Sequence, residues 1–108
     1  MVKTRWKDFP GGWVAGNFDP SIIRTSYFEV GVKDYPPGSF SPKHIHHETT
    51  EWTFVLSGQC LINGELVFAG ECVEIAPGES CFFESRGGCQ TMVVKMPSNP
   101  EDKEICHG

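Results

Sequence analysis

Glycine and proline punctuate this chain so closely that no ordinary helix fits between them. Twelve Gly and eight Pro are spread over 108 residues. No long window places apolar residues at i, i+3, i+4 and i+7 without one of them intervening. What survives between the breaks is period-two alternation, the pattern of a strand with two different faces. In residues 26–34, Phe28, Val30 and Val32 share one face, and Tyr27, Glu29 and Lys33 share the other. In residues 51–56, Trp52, Phe54 and Leu56 oppose Glu51, Thr53 and Val55. Asn63-Gly64 is a strong hairpin signal, because both positions accept the positive φ of a tight two-residue turn. It joins a strand at 59–62 to one at 65–68. Further strands are expected up to the Pro77-Gly78 break, over 80–85, and from 89 to the proline at 97, with Arg86-Gly87-Gly88 as a turn. Residues 20–25 hold a single turn at most.

About eight or nine short, evenly spaced strands describe an all-β sandwich or barrel. The expected interior holds Phe28 or its strand neighbours, Val55, Val73 or Ile75, and Phe83. The length supports one core, so residues 1–108 are read as one domain. It has an N-terminal arm over 1–25 and a polar tail over 97–108, read as an extended arm or frayed end.

Charge and cysteine content narrow the function classes. The formal net charge is −5 and Lys and Arg are not clustered, which argues against a nucleic acid or an anionic membrane as partner. The first residues lack the apolar core of a signal peptide, and no apolar run has the length of a membrane span. The five cysteines, Cys60, Cys72, Cys81, Cys89 and Cys106, are odd in number and form no CxxC. They are read as free thiols of a cytoplasmic protein.

One stretch does not read as scaffold. Between Gly38 and Gly58, His44, His46 and Glu51 fall within eight residues, with His47 and Glu48 between them. His44 and His46 are two apart and share a strand face. A bend at 47–50 precedes Glu51, which opens the next strand. If that strand turns the same face inward, two imidazoles and a carboxylate converge, a set suited to a divalent first-row metal with open positions. Thr53 and Val55 then share the interior face. His47 replaces His46 only if the strand slips by one residue, which also misplaces the flanking faces.

The spacing Gly38-x5-His44-x-His46-x4-Glu51-x6-Gly58 resembles the first motif of the cupin superfamily at every defined position. A looser match to the second motif begins at Gly70. Gly78 fits it, and Pro77 sits one place after the motif's proline, where Ala76 stands. Cys81 occupies the position of a histidine ligand and Ser85 that of an asparagine. The resemblance covers residues 38–85 closely. It implies a jelly-roll barrel, the double-stranded β-helix, with one divalent metal ion inside. Family metals are iron, manganese, nickel or zinc on three His and one Glu. This chain departs at the fourth ligand, so activities needing the full set, the oxalate and acireductone chemistries among them, do not follow. Two readings of Cys81 stand: a small apolar residue in the wall, or a thiolate ligand that shifts preference toward zinc or iron.

Two functions are open at this level. One is a small metalloenzyme acting on a small polar metabolite, a sugar or organic acid derivative, with Tyr27, Tyr35, Cys81 or Glu48 as inward acid–base candidates. The other is a non-catalytic module that binds or senses a small molecule. The apolar face of Trp52, Phe54 and Leu56 requires a cover, either the arm carrying Trp13 or a second subunit in a homodimer.

Overall fold

A computed structural model describes residues 1–106 as an all-β barrel of ten strands. Two short 3-10 turns, Trp6–Asp8 and Pro10–Gly12, lead into β1 (Trp13–Gly16). There follow β2 (Ile23–Arg24), β3 (Glu29–Tyr35), β4 (Ser39–Ile45), β5 (Thr50–Ile62), β6 (Glu65–Phe68), β7 (Cys72–Ile75), β8 (Ser80–Ser85), β9 (Cys89–Met96) and β10 (Glu104–Ile105).

β5 organises the barrel. Its first half pairs with β7 on one side and β9 on the other, and β3, β1 and β2 extend that sheet. Its second half pairs with β6 and β8, and β4 and β10 extend the facing sheet. The strand crosses from one sheet to the other through a register shift between Val55 and Ser57. Gly58 completes the crossing at φ +73°, and a Cβ there would stand 2.5 Å from the Gly88 carbonyl oxygen. Only glycine combines that backbone with that approach. The alternation in 51–56 and 59–62, read above as two strands, is thus one strand bent at a bulge. The Asn63-Gly64 turn forms as expected, with φ of 52° and 78°.

One end of the barrel is filled by Val55, Cys60, Ile62, Val67, Ile75, Cys81, Phe83 and Cys89, with Val73 packed against them. Val55, Ile75 and Phe83 are therefore interior, as the alternation indicates. The cysteines are free, and burial pushes the Cys60 thiol up to about 12, so it packs as a neutral apolar group.

β3 departs from expectation. Its interior face carries Glu29 and Gly31, both buried, then the cavity-lining Lys33 and Tyr35, while Phe28, Val30 and Val32 are only half-buried. The same inversion runs through the neighbours, since register pairs Val30 and Trp52 with Val94, and Val32 and Phe54 with Met92. An apolar alternation marks the core face only when the core is apolar. Here the interior at this end is polar, so the apolar side lies outside.

The two terminal segments also differ from the reading above. Residues 97–106 fold back along the barrel, with β10 paired to β4 and the Cys106 amide bonded to the Lys43 carbonyl at 2.9 Å. The Trp13 arm does not cover the Trp52 face. β1 pairs with β3, and the indole lies over Gly31 on the cavity side.

Replacing Gly58 by Ala should lower the unfolding free energy by about 2 kcal/mol or more, the left-handed φ and the carbonyl clash both opposing a Cβ. Equilibrium urea denaturation of the variant against the native chain measures it.

Candidate metal centre

The end of β4 and the start of β5 deliver the cluster that the spacing points to. The ligand atoms of His44, His46 and Glu51 all lie within 4.8 Å of one another. His44 comes from one sheet and Glu51 from the other, with His46 just past the end of β4, so the cluster closes the gap between the sheets. Both imidazoles are buried and their rings meet edge to face, 5.2 Å between centroids.

Hydrogen bonding fixes the tautomers. His44 Nδ1 donates to the Pro42 carbonyl at 3.0 Å, and His46 Nδ1 donates to the Asp102 carbonyl. A carbonyl oxygen only accepts, so each Nδ1 carries a proton, and in the neutral ring Nε2 keeps its lone pair. Burial lowers the His46 pKa, opposed by the bond to Asp102, and keeps the ring neutral. His46 Nε2 is 3.8 Å from Glu51 Oε1, too far for a hydrogen bond, and this buried nitrogen has no partner among the described residues. An orphaned buried acceptor is costly. Two imidazoles held through Nδ1 by backbone carbonyls, with a carboxylate beside them, are the donor set of a divalent-metal site. The residues fit a metal ion, and the unpaired Nε2 is what such an ion would satisfy.

Cys81 lies directly across from His44 in the β4–β8 register and lines the same cavity, but it is not part of the set within 4.8 Å. Burial, then the Glu51 charge, pushes its thiol up to about 12. His47 points away: it is exposed and its Nε2 lies 2.6 Å from Glu104, so the strand keeps its register. Of the acid–base candidates, Tyr35 and Cys81 line the cavity, whereas Tyr27 is 78% exposed and Glu48 is exposed beside Asn99. Burial and the Glu51 charge hold the Tyr35 hydroxyl at about 12, so it serves as a hydrogen-bond donor.

Several contributors were not singled out from the sequence. Asp102, in the tail, bonds His46 through its carbonyl and accepts the amides of His47, Glu48 and Thr49 on its carboxylate at 2.8–3.0 Å. Burial would raise its pKa, but the amide bonds prevail and bring it to about 2. Lys33, Lys95 and Thr91 line the roughly 180 Å³ cavity beside the cluster, and Lys95 Nζ is 3.8 Å from Glu51. Glu29, buried and accepting from Ser98 Oγ at 3.3 Å, borders an adjoining cavity of about 370 Å³. Alternation carried a signal for the lysines, which share a strand face with Gly31 and Val93; nothing local marked Asp102, more than fifty residues from the histidine it holds.

A family model described as a cupin domain matches residues 31–94. The chain belongs to the cupin family. Solved cupin-fold structures agree with its architecture. An uncharacterised conserved protein with a double-stranded β-helix domain from Klebsiella pneumoniae is 22% identical, with a TM-score of 0.70 over 78% of this chain and 74% of that one. A cupin-superfamily sugar phosphate isomerase from Silicibacter pomeroyi is 24% identical, TM-score 0.62, over 68% and 52%. The oxalate decarboxylase of Bacillus subtilis, in a study of its Mn(II) centres, is 15% identical, TM-score 0.61, over 68% and 22%. At these identities the likeness is one of fold. No curated protein matches the sequence significantly.

Asp102→Ala should cost this cupin about 2 kcal/mol, since the amides of His47, Glu48 and Thr49 lose their common acceptor together while the backbone carbonyl that holds the His46 ring remains. Because the folded carboxyl titrates near 2 rather than at its ordinary 3.8, its contribution is present above about pH 4 and is lost as pH falls through about 2. Urea denaturation of both proteins across the acid range should show that acid-side slope in the native chain and its loss in Asp102→Ala.

Proposed function

We propose that this cupin is a small metalloenzyme in which His44, His46 and Glu51 hold one divalent ion and a small polar metabolite occupies the adjoining cavity. The observation that carries this reading is the buried, unpartnered Nε2 of His46 beside a second proton-free Nε2 and a carboxylate. A bound ion there would supply Lewis-acid chemistry, polarising an oxygen of the substrate. Zinc or iron suits two imidazoles and one carboxylate with a thiol nearby; manganese and nickel are the other family choices. Cys81 joins as a fourth ligand only if the ion draws it in as the thiolate, against the burial that keeps it protonated.

The other residues have roles that follow from their surroundings. His44 and His46 cannot rotate without surrendering their carbonyl bonds, so the ligand geometry is preorganised. Tyr35, tilted over Phe83 at 4.4 Å between centroids, offers a hydrogen-bond donor to a ligand in the cavity and does not act as base near neutrality. Glu29 has its pKa raised by burial, less the opposing effect of Lys95, and is the carboxyl best placed to carry a proton near the site. The presence of such titrating groups favours an enzyme over a module that only binds or senses its ligand.

We further propose a homodimer in the cytoplasm. Val30, Val32, Trp52, Phe54, Met92 and Val94 form an apolar face turned away from the cavity, with Leu56 48% exposed at its margin. The Trp13 arm is committed elsewhere, so a second copy is the natural cover.

Metal analysis of protein purified without chelator should give one divalent ion per chain. The His44→Ala, His46→Ala double variant should contain none, and added zinc should raise the melting temperature of the native chain only. Unchanged metal content in the double variant would end the metal reading. Sedimentation at micromolar concentration should show a dimer, and Phe54→Glu should return it to monomer; a native chain that sediments as a monomer overturns the dimer.

A further inference from the structure

The cavity beside the metal centre is lined by three lysines, Lys33, Lys95 and Lys103, and by one carboxylate, Glu51. Lys33 Nζ lies 4.2 Å and Lys95 Nζ 4.8 Å from the ring centroid of Trp13, so two ammonium groups share one indole. Both line the cavity that His44 and Glu51 border. Lys33 bonds the Gly11 carbonyl and has no carboxylate within ion-pair distance among the described residues. Burial, then repulsion from Lys95, lowers its pKa to about 8. Lys95, 14% exposed, has Glu51 at 3.8 Å, and Glu29 lies across from it in the β3–β9 register. A divalent ion on Glu51 would claim that carboxylate's charge. Even with Glu29 ionised, two carboxylates would face the three lysines of the lining and a doubly charged ion.

The arrangement is built rather than incidental. Gly12 lies so close to β3 that a Cβ would stand 1.9 Å from the Val32 carbonyl oxygen, and a Cβ on Gly31 would stand 2.7 Å from the indole. Both glycines are needed to bring Trp13 down onto the cavity. Thr91, opposite Lys33 in the β3–β9 register and fully buried against the same cavity, has a hydroxyl with no hydrogen-bond partner among the described residues. Buried charges without counter-charge are unfavourable, and an unpaired buried hydroxyl adds to the cost. A bound anion would give Lys33 a counter-charge and the Thr91 hydroxyl an acceptor.

We propose that Lys33, Lys95 and Thr91, backed by Trp13, form an anion clamp beside the metal centre, built for a small ligand bearing a carboxylate or phosphate group. The assignment rests on the metalloenzyme reading for its place next to a bound ion, and it narrows the substrate from a polar metabolite to an anionic one. Lys33 and Lys95 contribute charge, which ammonium groups do without strict geometry. Thr91 contributes a directed hydrogen bond. The apolar indole faces them and keeps water from one side of the clamp.

Calorimetric titration of the full chain, zinc-loaded and EDTA-stripped, with malonate, inorganic phosphate and the neutral malonamide tests it. Malonate or phosphate should bind, the tighter of the two identifying the group, and malonamide should bind at least about tenfold more weakly. Lys33→Gln should weaken anion binding about tenfold in both metal states. Lys33→Arg, which keeps the charge, and Lys43→Gln, on the exposed part of β4, should stay within about threefold of the native chain. Equal affinity of the native chain and Lys33→Gln, or of malonate and malonamide, overturns the clamp. If Lys33→Gln does not fold, the malonate–malonamide comparison on the native chain decides alone. Because the stripped protein is included, a chain that takes up no zinc would refute the metal reading while leaving the clamp to be judged on its own titration.

Discussion

The site depends on where two protons sit. Each imidazole of the pair gives its Nδ1 proton to a backbone carbonyl, His44 to Pro42 within its own strand and His46 to Asp102 in the tail. Those bonds fix the orientation of both rings and turn each Nε2 toward the site. They also tie the site to the chain's connectivity. The Asp102 carboxylate holds the bend at 47–49 while its carbonyl holds the ring just before it, so the loop and the ligand are positioned by one residue. A carboxylate so heavily hydrogen-bonded is strongly stabilised in its charged form.

Much of this was legible in the sequence, and the reasons differ by feature. Strand existence followed from turn chemistry, since Asn63-Gly64, Pro77-Gly78 and Gly87-Gly88 fall between β5 and β6, β7 and β8, and β8 and β9. The cluster of His44, His46 and Glu51 followed from the two-residue repeat of a strand and the glycine frame around it. The orientation of β3 did not follow. Hydrophobic alternation reports which face leaves water, and in this barrel the apolar face of β3, β5 and β9 lies on the outside, away from the cavity. The tail did not follow either. Its polarity suggests solvation, yet its polar groups are spent on the barrel, with Asp102 on the bend, Ser98 on Glu29 and Glu104 on His47.

The two ends of the barrel divide the tasks of stability and chemistry. One end is filled by aliphatic side chains, Phe83 and buried cysteines. The other exposes carboxylates, lysines and hydroxyls to an internal cavity. Buried polar groups cost stability wherever they lack partners, so the apolar end must offset the polar one. The half-buried apolar face of the outer sheet adds surface that an assembled protein can draw on for the same purpose.

β5 sets how such a molecule moves. Glu51 near its start and Ile62 at its end belong to opposite sheets, and the amides between them bond in both. A strand shared in this way leaves no hinge along which one sheet could swing from the other while each stays intact. Opening at the level of the core then involves both sheets, and the slowest-exchanging amides should cluster along β5. Smaller fluctuations belong to the attachments at the mouth, the arm before β1 and the tail after β9, which are also the segments that border the cavity. Access for a ligand is therefore a matter of peripheral breathing, with Glu51 anchored to the strand that both sheets share.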